Sequence, residues 1–538
     1  SRLSLNSLAK ASSDDLSSVL VIVEAATTAV FFSRLGQVAP QGKVNMGRAF
    51  LLPGVALACL IAYVHLPGPA PQIPDTGYWG PKDVGTHEAA PPADDEKIYQ
   101  FNVTYDNETV ARLKDEHERT KWVDPLEGAA FHDGVKLKTF RGVIDHWRTK
   151  FDFKKAENDI NAFPHYQTEI EGLQIHFFRS APETSRNSTV KVLPLLMVHG
   201  WPGSFVEFLK VAQQLSQPVD GLAFDVIVAS IPGFGLSQAS SKDGMDVMVT
   251  ARICQKLMAR LGYSKFYMQG GGWGAAVSSA MAALYPEKLR GIHLSTVLPN
   301  ALDLIVFTRL SLFKLFPQIL GDGQSPPCMK KHFTSLLHET EYLRIKVTNP
   351  DIVGFGLLNS AAGLATYILD KFSADVERYF LSLEDDGNLT KTFTLDELLS
   401  NVMVYYVSNS IVSSQRYVKE NLVRNVPTEI FGRPIEVPTG YAVFPHDMVC
   451  VPRFVASRMY SNITTMTYLA DGGRFGAFEK PDLLANDVRN FVQRVETLHP
   501  ETLVPPKGFT AVDRRPPPST AVVVVDEEHA SGERMDQI

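Results

Sequence analysis

The sequence predicts an α/β fold in which parallel strands end in glycine-containing loops. Three segments support this prediction. Residues 192–198 and 224–230 are continuous apolar runs, and residues 265–269 alternate between apolar and polar side chains; each runs directly into glycines. Apolar runs of this length are typical of strands buried in a parallel sheet. Three strand-loop units in succession are far more specific than any one of them.

The third unit has the outline of a nucleophile elbow, the strand-turn-helix in which an α/β-hydrolase holds its reactive side chain. From residue 275 the chain is alanine-rich, with larger apolar residues at helical spacing. An elbow needs small residues two places before and after the nucleophile, and these are Gly270 and Gly274. The nucleophile position is therefore Gly272, which has no atom that can attack carbon. For this stretch alone, a glycine-rich turn without catalytic ancestry is the alternative.

Four motifs make the sequence resemble the microsomal and juvenile hormone epoxide hydrolases. They are HGWPGSF from residue 199, IPGFGLSQAS from 231, FYMQGGGWG from 266 and DGGRFGAFEKP from 471, and the likeness runs from about residue 76 to about 495. In that family the elbow reads GGDWG, with aspartate as nucleophile, and the later loop reads GGHF, with histidine as base. This chain has Gly272 and Arg474 at those two places.

The resemblance implies an α/β-hydrolase fold with a helical cap and an N-terminal domain of the epoxide hydrolase type. It also implies the family's reaction, in which a lipophilic epoxide is hydrated to a diol through an alkyl-enzyme ester. Asp447, just beyond an expected strand at 438–444, matches the charge-relay acid, with a turn-capping carboxylate as the alternative. The backbone amides of Trp201 and Trp273 match the oxyanion hole.

Two cap tyrosines bind the epoxide oxygen in the family that the sequence resembles. Tyr342 matches the first, although a tyrosine on a buried helix is ordinarily a core residue. An ungapped match puts Val418 at the second place, so that the hydroxyl there is lost. Tyr417 lies one place earlier, and its role stays open.

These substitutions predict a catalytically inactive homologue. Gly272 removes ester formation, Val418 weakens it further, and the permanently charged Arg474 cannot take a proton from water. We also expect Arg474 to form an ion pair with Asp447, in place of the relay. Three hypotheses remain: an inactive homologue that binds a lipophilic epoxide or terpenoid, an active epoxide hydrolase with misreported codons or another carboxylate, and a membrane-tethered interaction protein without a ligand.

Composition and motif content argue against several other classes of protein. The chain has 538 residues, of which 45% are hydrophobic and 21% charged, and a net charge of -7, which argues against a nucleic-acid partner. The four cysteines lack CxxC spacing, so neither a disulfide framework nor a zinc site is predicted. No phosphate loop, dinucleotide fingerprint or metal-ligand cluster is present in the sequence, and we expect no cofactor and no metal.

The domain organisation follows from the same patterns. Residues 49–66 form a run of about 18 mainly apolar residues, near the lower limit for a membrane span; the alternatives are the apolar core of a signal peptide and a buried helix. The resemblance implies a single N-terminal anchor in the endoplasmic reticulum, or microsomal, membrane. The predicted segments are an extension of uncertain origin (1–46), the anchor (47–68), a linker (69–99), the N-terminal domain (100–184), the hydrolase core (185–300 and 426–500), the cap (301–425) and a disordered tail (501–538).

Overall fold

A computed structural model describes most of the chain from residue 71 onward. The described residues are 71–81, 92–124, 137–183, 189–297, 348–374, 389–423, 430, 433–447, 449–500 and 509–511. The predicted extension, membrane anchor and most of the tail therefore lie outside the described residues, as does the first part of the predicted cap. Within the described residues, no helix is long and apolar enough to cross a membrane.

Among the described residues, nine strands form one sheet with the order β1-β2-β3-β5-β4-β6-β7-β8-β9. From β5 to β9 every neighbouring pair is parallel, whereas β1, β2 and β3 extend the sheet at one edge through antiparallel pairs. The strands are Tyr99–Phe101 (β1), His165–Ile170 (β2), Leu173–Ser180 (β3), Lys191–Val198 (β4), Leu222–Ala229 (β5), Phe266–Gly270 (β6), Leu289–Leu294 (β7), Thr439–Val443 (β8) and Ile463–Tyr468 (β9). The predicted α/β-hydrolase fold is confirmed.

Helices pack against the sheet and form most of the described part of the segment between β7 and β8. The described α-helices are Asn107–Glu118 (α1), Leu137–Thr149 (α2), Phe153–Asn161 (α3), Leu209–Ser216 (α4), Val247–Arg260 (α5), Trp273–Leu284 (α6), Pro350–Leu358 (α7), Ala361–Ala374 (α8), Leu389–Thr392 (α9), Leu395–Ser408 (α10), Ile411–Val423 (α11), Arg453–Met459 (α12), Gly476–Glu479 (α13) and Pro481–Leu498 (α14). Single 3-10 turns occur at Phe205–Phe208 and Pro286–Lys288. Helices α7 to α11 lie where the sequence predicts a helical cap.

The segment predicted as an N-terminal domain shares the sheet of the hydrolase core. Strand β3 pairs with β5, for example Phe177 with Ala229, so the sheet continues across the predicted boundary near residue 184. This continuity depends on pairing between residues that are far apart in the sequence.

Helix α1, in contrast, begins at a local signal, because the Asp106 side chain accepts a hydrogen bond from the Thr109 backbone amide at its N-terminus.

Part of the predicted linker is fixed to the core. The Trp79 indole donates a hydrogen bond of 2.9 Å to Glu171 Oε2, and the Arg252 guanidinium donates to both carboxylate oxygens of the same residue at 2.7 Å. Lys256 also contacts Glu171, which is 4% exposed. These cations lower the pKa of Glu171 against the opposing effect of burial. Residues 71–81 therefore belong to the folded body and do not act as a free tether.

The bonding state of one cysteine differs from what the cysteine spacing predicted. Cys450 is disulfide-bonded, although no pattern in the sequence predicted a disulfide, and Cys254 is a free, buried thiol. A disulfide joins residues that folding brings together, so its two cysteines need have no characteristic spacing. The spacing of the cysteines in the sequence therefore could not predict this disulfide.

Four buried histidines make the fold sensitive to acid. Burial lowers the pKa of His117, His165 and His199 to about 4, and burial with the nearby His165 lowers that of His176 well below its usual range. The unfolded chain therefore binds protons between pH 6.5 and 4 that the folded chain does not. We therefore expect the free energy of unfolding to decrease as the pH is lowered across this window, by about 1.4 kcal/mol per pH unit for each histidine.

His117 offers a direct check of this prediction, because both ring nitrogens are buried without a hydrogen-bond partner. In His117→Leu, urea unfolding at pH 7.5 and pH 5 should show a smaller loss of stability on acidification than in the parent chain. His499→Gln, at an exposed position, is the control and should keep the parent's pH dependence. An unchanged acid sensitivity in His117→Leu would contradict the assignment.

Candidate active site

The predicted elbow is present as a strand, a tight turn and a helix. Strand β6 ends at Gly270, and α6 begins at Trp273 with Gly272 as its N-terminal cap. The backbone of Gly272 has φ 53° and ψ -121°, a positive-φ conformation that strains any residue other than glycine. A hydrogen bond of 2.9 Å from the Gly274 amide to the Gly271 carbonyl closes the turn.

Three glycines of the elbow differ in the space around them. A Cβ atom at Gly270 would overlap the backbone of Gly274, and a Cβ atom at Gly274 would overlap the carbonyl oxygen of Val198 in the neighbouring strand. At Gly272 the nearest atom would be the Gly200 Cα, at 3.6 Å, an ordinary van der Waals contact. Packing therefore demands glycine at the two flanks but leaves room for a Cβ atom at the apex.

The loop after β4 lies directly against the elbow. A Cβ atom on Gly200 would lie 3.1 Å from the Gly271 carbonyl oxygen and 3.6 Å from the Trp273 amide nitrogen. The next residue, Trp201, is buried, and its indole donates to Ser414 Oγ of α11 at 3.2 Å. The structure thus brings together the two backbone segments, around Trp201 and Trp273, that the sequence assigned to an oxyanion hole.

A small cavity opens at the apex of the elbow. It is lined by Gly200, Glu207, Gln269, Gly272 and Arg474, among others. The cavity leaves about 10 Å³ for the centre of a water molecule, which is room for about one water. Gly272 and Arg474, predicted to stand at the nucleophile and base positions, therefore face the same space.

Asp447 lies just after β8, where the third member of a hydrolase site is expected. It is 2% exposed, and its carboxylate accepts hydrogen bonds from Thr296 Oγ1 at 2.9 Å and from the Val449 amide at 3.2 Å. Thr296 follows β7, so the carboxylate is held between the ends of two neighbouring strands. These contacts orient Asp447 firmly; its expected ion pair with Arg474 stays a prediction.

The two cap positions on α11 are both buried. Tyr417 is 2% exposed and Val418 1% exposed. The Tyr417 hydroxyl lies 3.0 Å from Thr250 Oγ1, and burial raises the pKa of Tyr417 well above its usual value. Its ring meets the Trp273 ring edge-on at 6.1 Å. Tyr417 therefore packs beside the elbow with its hydroxyl directed to α5, while Tyr342 lies outside the described residues.

Sequence reasoning missed two polar residues of the cavity, Glu207 and Gln269. Glu207 is 7% exposed, and burial raises its pKa to about 8, although a hydrogen bond from the Gly200 amide and the charge of Arg474 lower it. Gln269 is fully buried at the end of β6, and its Oε1 atom has no hydrogen-bond partner. A single acid within the apolar run SFVEF, directly after the glycine loop, was the available signal for Glu207.

The raised pKa of Glu207 predicts a pH-dependent stability. The folded chain keeps this proton above pH 4.5, the ordinary value, so the contribution to stability is complete below that pH and is lost as the pH rises through about 8. Glu207→Gln removes the ionisation. We expect it to match the parent at pH 5 and to be more stable by roughly 2–4 kcal/mol at pH 9, measured by urea unfolding. The exposed Glu287→Gln is the matched control; equal stabilisation by both changes would refute the assignment.

Comparison with known proteins places the sequence among epoxide hydrolases. The family model described as "Epoxide hydrolase N terminus" matches residues 98–208, and that described as "alpha/beta hydrolase fold" matches residues 194–328. Epoxide hydrolase 1 of Sus scrofa is 42% identical over 429 residues, which cover 78% of this chain and 93% of the relative. Juvenile hormone epoxide hydrolase 1 of Ctenocephalides felis is 36% identical over 437 residues, covering 80% and 92%.

A solved structure agrees with these matches. The crystal structure of juvenile hormone epoxide hydrolase from the silkworm Bombyx mori superposes with a TM-score of 0.74 at 32% identity, covering 79% of this chain and all of that one. Within the part of the chain that the structure describes, no group of three or more acidic, histidine or cysteine side chains is arranged to hold a metal ion.

Proposed function

This chain belongs to the epoxide hydrolase family, and we propose from its site that it has lost the covalent reaction of that family. The observation that carries the proposal is the glycine at the apex of the elbow. The place of a nucleophile's Cβ atom is still open at Gly272, where such an atom would meet only the Gly200 Cα at 3.6 Å. Without a carboxylate there, no ester with the epoxide forms.

The second half of the family reaction is lost at Arg474. A histidine base at this place would activate water against the ester, with Asp447 holding the imidazole. Arg474 lines the same cavity as Gly272, and its guanidinium stays protonated at physiological pH. Asp447 keeps its hydrogen bonds to Thr296 and Val449. The supporting framework of the catalytic site is therefore retained, and its two reactive groups are replaced.

We infer that the chain binds a lipophilic epoxide or a terpenoid-like molecule without turning it over. The names of its relatives, epoxide hydrolase 1 and juvenile hormone epoxide hydrolase, support this chemical class. The ligand would lie between the hydrolase core and the cap, with Tyr342 as the remaining hydroxyl donor to the epoxide oxygen. Residues 47–68 would anchor the protein in the endoplasmic reticulum membrane by a single pass.

Binding and turnover can be measured separately on the full chain. We expect a terpenoid epoxide to raise the Tm in a saturable way, because a ligand that binds only the folded state stabilises it. No diol should appear by chromatography beyond the protein-free rate. Enzyme-dependent diol would refute the loss of the reaction, whereas an unchanged Tm would refute ligand binding and favour an interaction protein without a ligand.

One observation favours a second candidate, an active enzyme that uses another carboxylate. Glu207 lines the cavity at Gly272 and is the acid best placed to replace the missing one. At neutral pH its raised pKa keeps it mainly protonated, which weakens it as a nucleophile. If the native chain does form diol, Glu207→Gln should abolish it under this candidate. Sequencing the transcript at positions 272 and 474 checks for misreported codons.

A further inference from the structure

We propose that the folded body of this protein lies in the lumen of the endoplasmic reticulum, where Asn102 and Asn107 carry N-linked glycans. The inference goes beyond ligand binding and rests on one part of the proposed function, the insertion of residues 47–68 into that membrane. Two independent observations carry it: the way in which the structure presents these two asparagines, and the oxidised state of Cys450. The lipophilic ligand would then be bound on the lumenal side of the membrane.

The candidate modification sites come from the sequence. An asparagine followed two places later by serine or threonine accepts an N-linked glycan, provided that the residue between them is not proline. Five such sequons begin at Asn102, Asn107, Asn187, Asn388 and Asn462. A motif this short also occurs by chance, so the presentation of each asparagine in the folded chain decides which sites can carry a glycan. The described residues include Asn102, Asn107 and Asn462.

The sequon at Asn102 is turned outward and fixed in that position. Asn102 and Thr104 are exposed, whereas Val103 and Tyr105 between and after them are buried. This alternation is typical of an extended segment, in which every second side chain points to the same side. The backbone of Val103 is held on the inner side, since its amide donates to Asn161 Oδ1 and its carbonyl accepts from Asn161 Nδ2, both at 2.8 Å. The acceptor amide and the threonine of the sequon therefore both face solvent.

The sequon at Asn107 lies in the first turn of α1. Asn107 is exposed, and the turn is formed without its side chain, because Asp106 caps the helix by accepting from the Thr109 amide. Within the part of the chain that the structure describes, the Asn102 and Asn107 side chains make no hydrogen bond and no ring contact. A bulky, hydrophilic glycan at either position thus replaces contacts with water and none with protein.

The third described sequon shows the opposite situation. Asn462 is half-buried, and its Nδ2 atom donates to the Glu436 carbonyl at 3.3 Å. Its Oδ1 atom accepts from the Thr464 hydroxyl at 3.5 Å. Both ends of this amide are used within the protein, so we assign no glycan to Asn462.

The oxidised state of Cys450 identifies the same compartment by different chemistry. Cys450 is disulfide-bonded and only half-buried. Disulfides form and persist in the lumen of the endoplasmic reticulum and outside the cell, whereas cytosolic thiols are kept reduced. The transfer of N-linked glycans requires the lumen as well. A body on the cytosolic side would leave the outward sequons unused and would expose this disulfide to reduction.

The modification itself is a group transfer from a lipid-linked donor. One N–H bond of the asparagine amide is replaced by a bond from Nδ2 to the first sugar of an oligosaccharide. The bond between that sugar and its lipid diphosphate carrier breaks, and the amide proton leaves to a base of the transferase. No oxidant or metal of this chain is needed.

The first test maps the glycans on the full chain expressed in eukaryotic cells. Treatment with peptide N-glycosidase in oxygen-18 water should increase gel mobility and leave labelled aspartate at positions 102 and 107. Asn102→Gln and Asn107→Gln should each lose one mobility step, whereas Thr104→Ser preserves the sequon and should lose none. Asn359→Gln is the matched control, because Asn359 is an exposed asparagine outside any sequon. The proposal is overturned if the label is missing at both positions.

The second test locates the body in sealed microsomes. Residues 71–500 should resist added protease until detergent opens the vesicles, and maleimide should label the denatured Cys450 peptide only after reduction. Digestion in sealed vesicles overturns the lumenal placement; a membrane-bound remnant would then retain the proposed anchor, whereas a fully soluble chain would reject the anchor too. Ligand-dependent Tm and diol formation are measured separately, so either result leaves the proposed loss of the reaction intact.

Discussion

Gly272→Asp combined with Arg474→His should return diol formation to this chain. The two changes restore the nucleophile and base that the resemblance implies. The apex has room for a Cβ atom, and Asp447 is already held by its hydrogen bond from Thr296. In a Ser-His-Asp hydrolase, losing one catalytic member costs roughly a millionfold in rate, and by analogy we expect a gain of several orders of magnitude over the native chain. The predicted gain is checked by measuring diol release from a lipophilic epoxide by chromatography.

The single variants separate the two halves of the reaction. Gly272→Asp alone should form the ester and stop, because Arg474 cannot activate the water that releases it. Intact-protein mass spectrometry should then show a mass increase of one epoxide per chain, mapped to the peptide that contains position 272. Arg474→His alone should give neither adduct nor diol. If the folded double variant gives neither product, the assignment of positions 272 and 474 is wrong.

Gly274→Ala should be among the most destabilising small substitutions in the elbow. Its Cβ atom would overlap the carbonyl oxygen of Val198, which belongs to a central strand that cannot move without disturbing both neighbours. We expect a loss of about 3 kcal/mol or more, at the upper end of the usual cost of overpacking. Urea unfolding of the folded fraction, or loss of soluble protein, measures the effect.

Gly272→Ala is the matched control for that change. Its Cβ atom meets only an ordinary contact, so the cost should be limited to the strain of a positive φ, about 1–2 kcal/mol. The contrast tests whether the flanking glycines are required by packing and the apex glycine is not. Equal losses in the two variants would contradict this view of the elbow.

The elbow could be predicted from sequence because its strand, turn and helix are continuous in the chain. Gly270 and Gly274 approach each other within this segment, so their spacing carries the information, although Gly274 is also required by Val198 of the neighbouring strand. The place of Asp447, just beyond the end of a strand, could also be predicted, whereas its role as a charge-relay acid stays a prediction. In the elbow, a short pattern and a steric rule together specify the geometry.

The properties of Glu207 and Tyr417 could not be predicted in this way. The pKa of Glu207 is raised because folding removes water from it, and the partner of the Tyr417 hydroxyl, Thr250, comes from a helix 167 residues earlier. The docking of Trp79 onto Glu171 across 92 residues is equally non-local, which explains why its segment resembled a free linker. Contacts of this kind arise from the tertiary structure and leave no short pattern in the sequence.

The most direct test of the central claim is incubation of the native full-length chain with a lipophilic epoxide in oxygen-18 water. Mass spectrometry of the diol and of the peptide that contains Glu207 reports turnover and the identity of any substitute nucleophile. Gly272 has no atom to form the ester, so we predict no labelled diol beyond the protein-free reaction and no label in that peptide. Labelled diol that requires the protein would contradict the proposed loss of the reaction, and oxygen-18 in Glu207 would identify Glu207 as the nucleophile.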